Sequence, residues 1–236
     1  MELKHKKVVV IGGSSGIGLA IAKAAAAARA EVVISSRSPR KLEEALKSIS
    51  QNVMVYPMDL TQEDSVSNFF QREGALDHLV ISGSSVKMAG FHEMAIADAM
   101  TSMDSKFWRA YRAIKAANIN SGGSVTLFSG TLSRKPSTGT TIISAINAAI
   151  EGLGRALAVA LAPIRVNVIC PGLVDTPIFA DLPEGDREAM FQNAAENLPV
   201  GRIGQPEDIA AMTMQLMSNP YVTGTMIDID GGSLVL

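Results

Sequence analysis

The segment Val8-Val-Val-Ile-Gly-Gly-Ser-Ser-Gly-Ile-Gly18 decides the fold class of this chain of 236 residues. The β-branched run Val8 to Ile11 predicts a buried strand, a helical pattern follows from Gly16 to Arg29, and a second apolar run lies at Val32 to Ile34. A strand, a glycine-rich turn, a helix and a second strand are typical of a dinucleotide-binding unit, in which amides at the start of the helix face a pyrophosphate. An ordinary tight turn is the alternative, and the second strand at the expected distance argues against it.

Five further apolar runs continue this pattern along the chain. They lie at Val53 to Tyr56, Leu79 to Ile81, Val125 to Phe128, Val166 to Ile169 and Met226 to Ile229, separated by stretches of helix length. The alternation predicts an α/β fold, namely a Rossmann-type doubly wound parallel sheet of seven strands with helices on both faces. We expect residues 1–236 to form a single domain, because no repeat or linker divides them. The insertion Thr176 to Pro199, at about residues 176–200, is the candidate substrate lid.

Composition excludes several classes of partner. A net charge of −2 provides no electrostatic footprint for nucleic acid. The alanine-rich stretch Ala20 to Ala30 is interrupted by Lys23 and Arg29, so no run approaches the roughly 18 uninterrupted apolar residues of a membrane span. The apolar run after the basic N-terminus is too short for a signal peptide, and a lone cysteine suits a reducing compartment. We therefore expect a cytoplasmic protein that binds neither nucleic acid nor membrane, and we predict no metal site.

The spacing Gly12-x-x-x-Gly16-x-Gly18 is similar to the fingerprint of the short-chain dehydrogenase/reductase family. Further matches at Asp59-Leu60, at Ile164 to Gly172 and at Asp228 to Gly232 extend this resemblance over nearly the whole chain. The resemblance implies an oxidoreductase that transfers hydride between a nicotinamide cofactor and a small carbonyl or alcohol substrate. It also implies a homodimer or homotetramer, assembled through the helices at about residues 100–118 and 144–162.

The cofactor is predicted to be NADP(H). Where NAD-preferring folds carry an acid for the ribose 2′-hydroxyl, this chain has Ser36-Arg37-Ser38, and Arg37 can bind a 2′-phosphate with the serines as extra donors. A solvated arginine in a turn is the alternative. The complete set of predicted cofactor-binding residues is Gly12, Ser14, Ser15, Gly16, Ile17, Gly18, Ser36, Arg37, Ser38, Asp59, Leu60, Ser82, Gly83, Pro171, Gly172, Val174 and Thr176.

The chain departs from the family at the catalytic positions. The family protonates the alkoxide left by hydride transfer with a tyrosine, whose pKa a lysine four residues later lowers. Aligned on Ala-Ala-Ile-Glu-Gly-Leu, the tyrosine position falls on Ile143 and the lysine position on Asn147, while the asparagine of the preceding helix falls on Lys106. We therefore predict that the Lys106 ammonium reaches the volume vacated at Asn147. A snorkelling lysine on a site that has lost catalysis is the alternative.

The remaining candidates follow from the same alignment. The family's serine falls on Gly130, with Ser129 and Thr131 as neighbours, and we predict Lys106, Ser129 and Asn147 as the catalytic residues. The string Tyr111 to Lys115 resembles the family's Tyr-x-x-x-Lys but precedes the fifth strand, so we expect it to be structural. His92, in the loop after the fourth strand, is a weaker candidate for a proton donor.

Two functions remain open from the sequence. One is an NADP(H)-dependent oxidoreductase with a non-standard catalytic site. The other is a non-catalytic NADP(H)-binding sensor or scaffold, since the aliphatic Ile143 cannot donate a proton.

Overall fold

A computed structural model describes residues 3–49 and 53–236 of the chain. Within these ranges the strands are β1 (Lys7–Ile11), β2 (Glu31–Ser36), β3 (Val53–Pro57), β4 (Ala75–Ile81), β5 (Asn118–Phe128), β6 (Arg165–Pro171) and β7 (Met226–Ile229). They form one parallel sheet in the order β3-β2-β1-β4-β5-β6-β7. The predicted seven-stranded parallel fold is confirmed, and every predicted apolar run lies within an observed strand.

Helices cover both faces of the sheet. They are α1 (Gly16–Ala27), α2 (Pro39–Lys47), α3 (Glu63–Glu73), α4 (Ile96–Met103), α5 (Arg109–Ala116), α6 (Thr141–Ala160), α7 (Glu184–Asn197) and α8 (Pro206–Ser218). A π-helical turn, Asp104–Trp108, joins α4 to α5, and short 3-10 turns lie at Thr131–Ser133, Pro177–Phe179 and Ser233–Val235. The first helix ends two residues before the predicted Arg29, which has a left-handed φ of 65°.

The strands divide the core into two apolar layers. Val8 and Val10 pack with α1, α2 and α8, whereas Val9 and Ile11 pack with α3, α5 and α6. Successive strand residues point to opposite faces, and both faces here are covered by helices, so the strand sequence is continuously apolar rather than alternating. Strands β1 to β3 are added toward one edge of the sheet and β4 to β7 toward the other, so the strand order reverses between β1 and β4 and opens a crevice at their carboxyl ends.

The predicted lid contains two helical pieces. A 3-10 turn covers Pro177–Phe179, and α7 has no buried residue. The rings of Phe179 and Phe191 meet edge to face at 5.5 Å, which ties the two pieces together. Whether this segment closes over a substrate stays a prediction.

Among the described residues, one helix is long and apolar enough to cross a membrane, although the sequence was predicted to contain no membrane span. This helix is α6. Its buried side, which includes Ile146, Ile150 and Gly154, packs against the sheet. The apolar composition of α6 is therefore accounted for in part by core packing.

Candidate active site

The glycine-rich turn packs directly against the end of β4. Gly12 has a φ of +77°, and a Cβ at this position would collide with the carbonyl oxygen of Ser82. Gly16 also has a positive φ, of +51°. No side chain caps α1 at Ser15, so the amides of its first turn have no side-chain partner. These amides and the positive helix end fit a pyrophosphate group.

The segment after β2 presents Arg37 at the rim of the crevice. Arg37 is exposed, and no ion pair within 4 Å involves it in residues 3–49 and 53–236. The Ser38 hydroxyl accepts a hydrogen bond from the Lys41 amide at 3.3 Å and so caps α2. The Ser36 hydroxyl donates to the Ser38 carbonyl at 3.5 Å. Arg37 is therefore free for a ligand, whereas both serines already serve the local turn.

The ends of β3 and β4 lie beside this rim. Asp59 accepts hydrogen bonds from the Thr61 amide and hydroxyl at 2.9 and 2.8 Å, and these bonds lower the pKa of Asp59. Leu60 is buried. Ser82 is buried, while Gly83 is exposed with a φ of +77°. The small residues after β4 leave room for close approach of a ligand to the backbone.

The segment after β6 completes the crevice. The Gly172 amide donates to Ile229 at 3.0 Å, which fixes the segment to β7. In the bridge between Val174 and Gly204, the Gly204 amide donates to the Leu173 carbonyl, and the Asp175 amide donates to the Gly204 carbonyl. Within the described ranges, the amide and carbonyl of Val174 itself thus make no backbone hydrogen bond. A Cβ on Gly16 would lie 3.4 Å from Thr176, so this segment closes onto the glycine-rich turn.

The predicted meeting of Lys106 and Asn147 is present. Lys106 lies in the π-helical turn, and its Nζ donates to Asn147 Oδ1 at 2.6 Å and to the Ser129 carbonyl at 3.1 Å. Asn147 is buried in α6, and its Nδ2 donates to the Gly130 carbonyl at 3.4 Å. Burial lowers the pKa of Lys106 to about 8, although the negative charge of Glu151 acts in the opposite direction. The ammonium therefore stands at the junction of the π-helical turn, β5 and α6.

Ser129 offers Lys106 its carbonyl rather than its hydroxyl. The Ser129 hydroxyl lies 2.7 Å from Glu151 Oε1 and 3.1 Å from the Asn147 carbonyl. The Ser133 hydroxyl also donates to Glu151 Oε1, at 2.6 Å. Glu151 is buried, so these hydroxyls replace the water that a carboxylate would otherwise require. In this structure Ser129 therefore orients Lys106 through its carbonyl, while its hydroxyl is directed toward Glu151.

Three polar residues of this region were missed by the sequence reasoning. Glu151 and Ser133 form the cluster beneath Ser129, and Arg109 donates to the Ser82 carbonyl at 3.3 Å. A signal existed for two of them, because Glu151 follows Asn147 by four residues and Arg109 follows Lys106 by three. Residues at these spacings share a helix face.

The other candidates lie on the surface. Tyr111 is 42% exposed, and its ring packs 5.8 Å from that of Trp108. Lys115 is exposed on the same helix, and His92 is exposed beside Phe91. Among the described residues, no hydrogen bond, ion pair or ring contact joins Tyr111, Lys115 or His92 to Lys106, and a structural role for the Tyr111 string stays a prediction. In the described part of the chain, no group of three or more His, Cys, Asp and Glu residues is placed to hold a metal ion.

Comparison with known proteins places this architecture in a family. The family model described as enoyl-(acyl carrier protein) reductase matches residues 11–233. The chain is 31% identical to a short-chain dehydrogenase/reductase of Stachybotrys chlorohalonatus, covering 99% of this chain and 98% of the relative. Among solved structures it is similar to a small-chain dehydrogenase in complex with NADPH, with 37% identity, a TM-score of 0.83, and coverage of 99% of this chain and 100% of that one.

A second solved structure supports the same assignment. The reductase/Diels-Alderase MalC of Malbranchea aurantiaca is 28% identical, with a TM-score of 0.92 and coverage of 99% of this chain and 98% of that one. The glycine-rich turn, the seven-stranded sheet and these matches over nearly the full length agree. The chain belongs to the short-chain dehydrogenase/reductase family.

Proposed function

We propose that this chain is an NADP(H)-dependent oxidoreductase acting on a carbonyl or alcohol substrate through a non-standard site centred on Lys106. The observation that carries this proposal is the 2.6 Å hydrogen bond from Lys106 Nζ to Asn147 Oδ1. It holds an ammonium at the position where the family alignment expects a lysine side chain, although the lysine comes from a different helix.

NADP(H) is the cofactor. A relative that is 37% identical over nearly the whole chain was solved with NADPH, and here Arg37 is free at the rim where an NAD-preferring fold would carry an acid. When bound, the cofactor supplies or accepts a hydride at C4 of its nicotinamide ring. The amides of the glycine-rich turn would hold the pyrophosphate, and the free amide and carbonyl of Val174 are suited to the carboxamide.

The Lys106 ammonium has one donor left for a substrate. An ammonium carries three N–H groups, and two of them are bonded to Asn147 and Ser129. In the direction of reduction, the substrate carbon receives the hydride and its oxygen takes the proton from Lys106 Nζ, which yields the alcohol and a neutral amine. Solvent then returns a proton to the amine. A pKa of about 8 leaves the group protonated at neutral pH yet acidic enough to donate.

Asn147 and Ile143 have different roles in this proposal. Asn147 positions the ammonium by accepting its hydrogen bond, and its own amide is anchored on Gly130. Ile143 stands where the resemblance places the family's tyrosine, and it contributes only an apolar wall. In this proposal the proton comes from Lys106.

Transfer of deuterium from NADPH labelled at C4 to a panel of carbonyl compounds tests the proposal. We expect labelled alcohol with the wild-type protein, strong loss of label with Lys106→Met, and retention with Tyr111→Phe. The second candidate, a binding protein without catalysis, is favoured by the aliphatic side chain at Ile143. Tight NADPH binding without label transfer to any compound would support that candidate instead.

We also propose that two or four copies of the chain associate through α4, α5 and α6. An open apolar groove of about 960 Å³ lies between these helices, and its lining includes Ile96, Met100, Trp108 and Ala145. Ile96 and Met100 are 80% and 68% exposed in the single chain, and such exposure of large apolar side chains typically marks a contact surface. Light scattering of Met100→Lys should report a smaller assembly than the wild type, and an unchanged mass would contradict this interface. A cytoplasmic location stays a prediction.

A further inference from the structure

Glu151 is a buried carboxylate that no step of the proposed reduction uses. It lies on α6, one turn after Asn147 and on the same buried side of the helix. Its Oε1 receives three donors, namely the Ser129 hydroxyl at 2.7 Å, the Ser133 hydroxyl at 2.6 Å and the Cys170 thiol at 3.7 Å. Three donors on one oxygen suit an ionised carboxylate, which acts only as an acceptor.

Both acceptors that hold the Lys106 ammonium are tied to this carboxylate. The first is the Ser129 carbonyl, and the hydroxyl of the same residue donates to the carboxylate. The second is Asn147 Oδ1. The Nδ2 of that side chain donates to the Gly130 carbonyl at 3.4 Å, and this carbonyl lies 3.1 Å from the Ser133 hydroxyl. Removal of the carboxylate would therefore release the two hydroxyls that brace the acceptors of the ammonium.

The charge of Glu151 also acts on Lys106. In residues 3–49 and 53–236, no ion pair within 4 Å involves either side chain. Only one residue, Ser129, separates the ammonium from the carboxylate, because it bonds the first through its carbonyl and the second through its hydroxyl. Opposite charges in the interior of a protein attract each other over several ångströms, since little water screens them.

The other titratable groups on the elements around Lys106 are engaged, neutral or exposed. They are Asp98, Asp104, Cys170 and Asp228, together with Arg109, Arg112, Arg134 and Arg155. Each of the three aspartates forms an ion pair with a lysine or an arginine, and Arg134 is held by Asp228 in this way. Burial raises the pKa of the Cys170 thiol to about 12, so the thiol is neutral. Arg109 donates to the end of β4, and Arg155 is exposed. Glu151 therefore remains as the counter-charge of Lys106.

We infer that Glu151 is a positioning residue for the reduction: through two serine hydroxyls it fixes the acceptors of Lys106, and its negative charge keeps that ammonium protonated. The inference rests on the proposed function, because it takes Lys106 to be the proton donor. Glu151 does not pass on the proton itself. The ammonium bonds the Ser129 carbonyl and not the hydroxyl, and a carbonyl has no proton to relay.

Titration of Lys106 in Glu151→Gln separates this role from a purely structural one. Glutamine keeps the size of the side chain and an oxygen for the two hydroxyls, but it removes the charge. The protein is labelled with ¹³C at the lysine Cε atoms for NMR, and Lys106→Met identifies the resonance of Lys106. We expect a wild-type midpoint near the pKa of about 8 that burial gives this ammonium. In Glu151→Gln the midpoint should lie about one pH unit lower, because an opposite charge has been withdrawn.

The same shift should appear in the rate of reduction. At pH 8 about half of the wild-type ammonium groups are protonated, against about one in eleven after a shift of about one unit, so the rate at pH 8 should fall about fivefold in Glu151→Gln. At pH 6 both forms are almost fully protonated, and the rate should stay within about twofold of the wild type. A purely structural role would lower the rate by the same factor at both pH values, without moving the midpoint.

Glu207→Gln is the matched control, because it removes a carboxylate from an exposed position of α8, on the opposite face of the sheet. It should leave the midpoint of Lys106 unchanged. Glu151→Asp, which keeps the charge, should stay within about half a pH unit of the wild type. An unmoved midpoint in Glu151→Gln, or an equal shift in Glu207→Gln, would overturn the inference. If Glu151→Gln does not fold, an unmoved midpoint in Glu151→Met, which is also uncharged, has the same consequence.

Failure of the proposed function would look different. In that case the wild-type protein would transfer no label from NADPH, or Lys106→Met would keep the wild-type rate. The NMR titration of Lys106 needs neither cofactor nor substrate, so it would still show whether Glu151 holds the ammonium in its protonated form.

Discussion

Replacement of Lys106 by methionine should remove activity, while its two effects on stability oppose each other. The fall in the pKa of Lys106 from 10.5 to about 8 corresponds to roughly 3 kcal/mol of free energy lost by burying the ammonium at neutral pH. Methionine relieves this cost, but it leaves Asn147 Oδ1 and the Ser129 carbonyl without their donor. Each unsatisfied acceptor costs about 1–3 kcal/mol. The two acceptors together cost about 2–6 kcal/mol, so the free energy of unfolding should change by between a gain of about 1 and a loss of about 3 kcal/mol.

The rate should respond far more strongly than the stability. Loss of a positioned proton donor typically reduces a rate by about 10²- to 10⁴-fold. The wild-type reduction rate should fall as the pH rises through about 8, because the ammonium that donates the proton is then lost. Lys106→Met should lack this limb of the pH profile. Steady-state reduction from pH 6 to 10, urea denaturation at pH 7 and NADPH titration are the three measurements.

Tyr111→Phe is the control for this experiment, because Tyr111 is exposed on a neighbouring turn and makes no contact with Lys106. It should keep both the rate and the pH profile. Retention of more than about half of the wild-type rate by Lys106→Met would refute the proposed proton donor. So would a limb near pH 8 that persists in the variant.

Three further predictions follow from the same contacts. The double variant Ile143→Tyr with Asn147→Lys should be less active than the triple variant that adds Lys106→Asn. In the double variant, the lysine at 147 would face the Lys106 ammonium at hydrogen-bond distance, and the two positive charges would repel each other. The kcat values of the two variants test this expectation. Gly12→Ala should abolish NADPH binding in a calorimetric titration, since its φ of +77° and the backbone carbonyl behind it leave no room for a methyl group. Burial lowers the pKa of His78 from 6.5 to about 4, so the stability that its neutral form contributes is present above pH 6.5 and is lost as the pH falls toward 4. Urea denaturation at pH 7 and 4.5 should show a loss of roughly 2–3 kcal/mol that is smaller in His78→Gln.

The strands could be predicted because their residues are buried on both faces. A parallel strand between two helical layers needs apolar side chains at consecutive positions, so Val8 to Ile11 and Val166 to Ile169 stand out in the sequence. The start of β5 could not be predicted in this way. All of residues 118–122 except Ile119 are polar or small, and Asn118 and Ile119 pair with β4 through the backbone, so the pattern of side chains shows no apolar run.

The contacts of the candidate catalytic residues were predictable only in part. The family alignment brought Lys106 and Asn147 together, and the structure agrees, although the two positions lie 41 residues apart. The direction of the Ser129 hydroxyl was not predictable. It follows from the buried carboxylate of Glu151, which needs donors and draws the hydroxyls of Ser129 and Ser133 toward it.

The order of apolar runs and glycines by itself determined the parallel sheet and the cofactor crevice, because burial on both faces and positive backbone angles each demand particular residues locally. Only the tertiary structure decided which polar groups form hydrogen bonds with one another. Arg109 reaches the end of β4, and Lys106 leaves one donor free, because α5 and α6 dock on the sheet at one particular depth and rotation. These contacts join residues 23 to 41 positions apart, and no local preference of the chain encodes the distance between them.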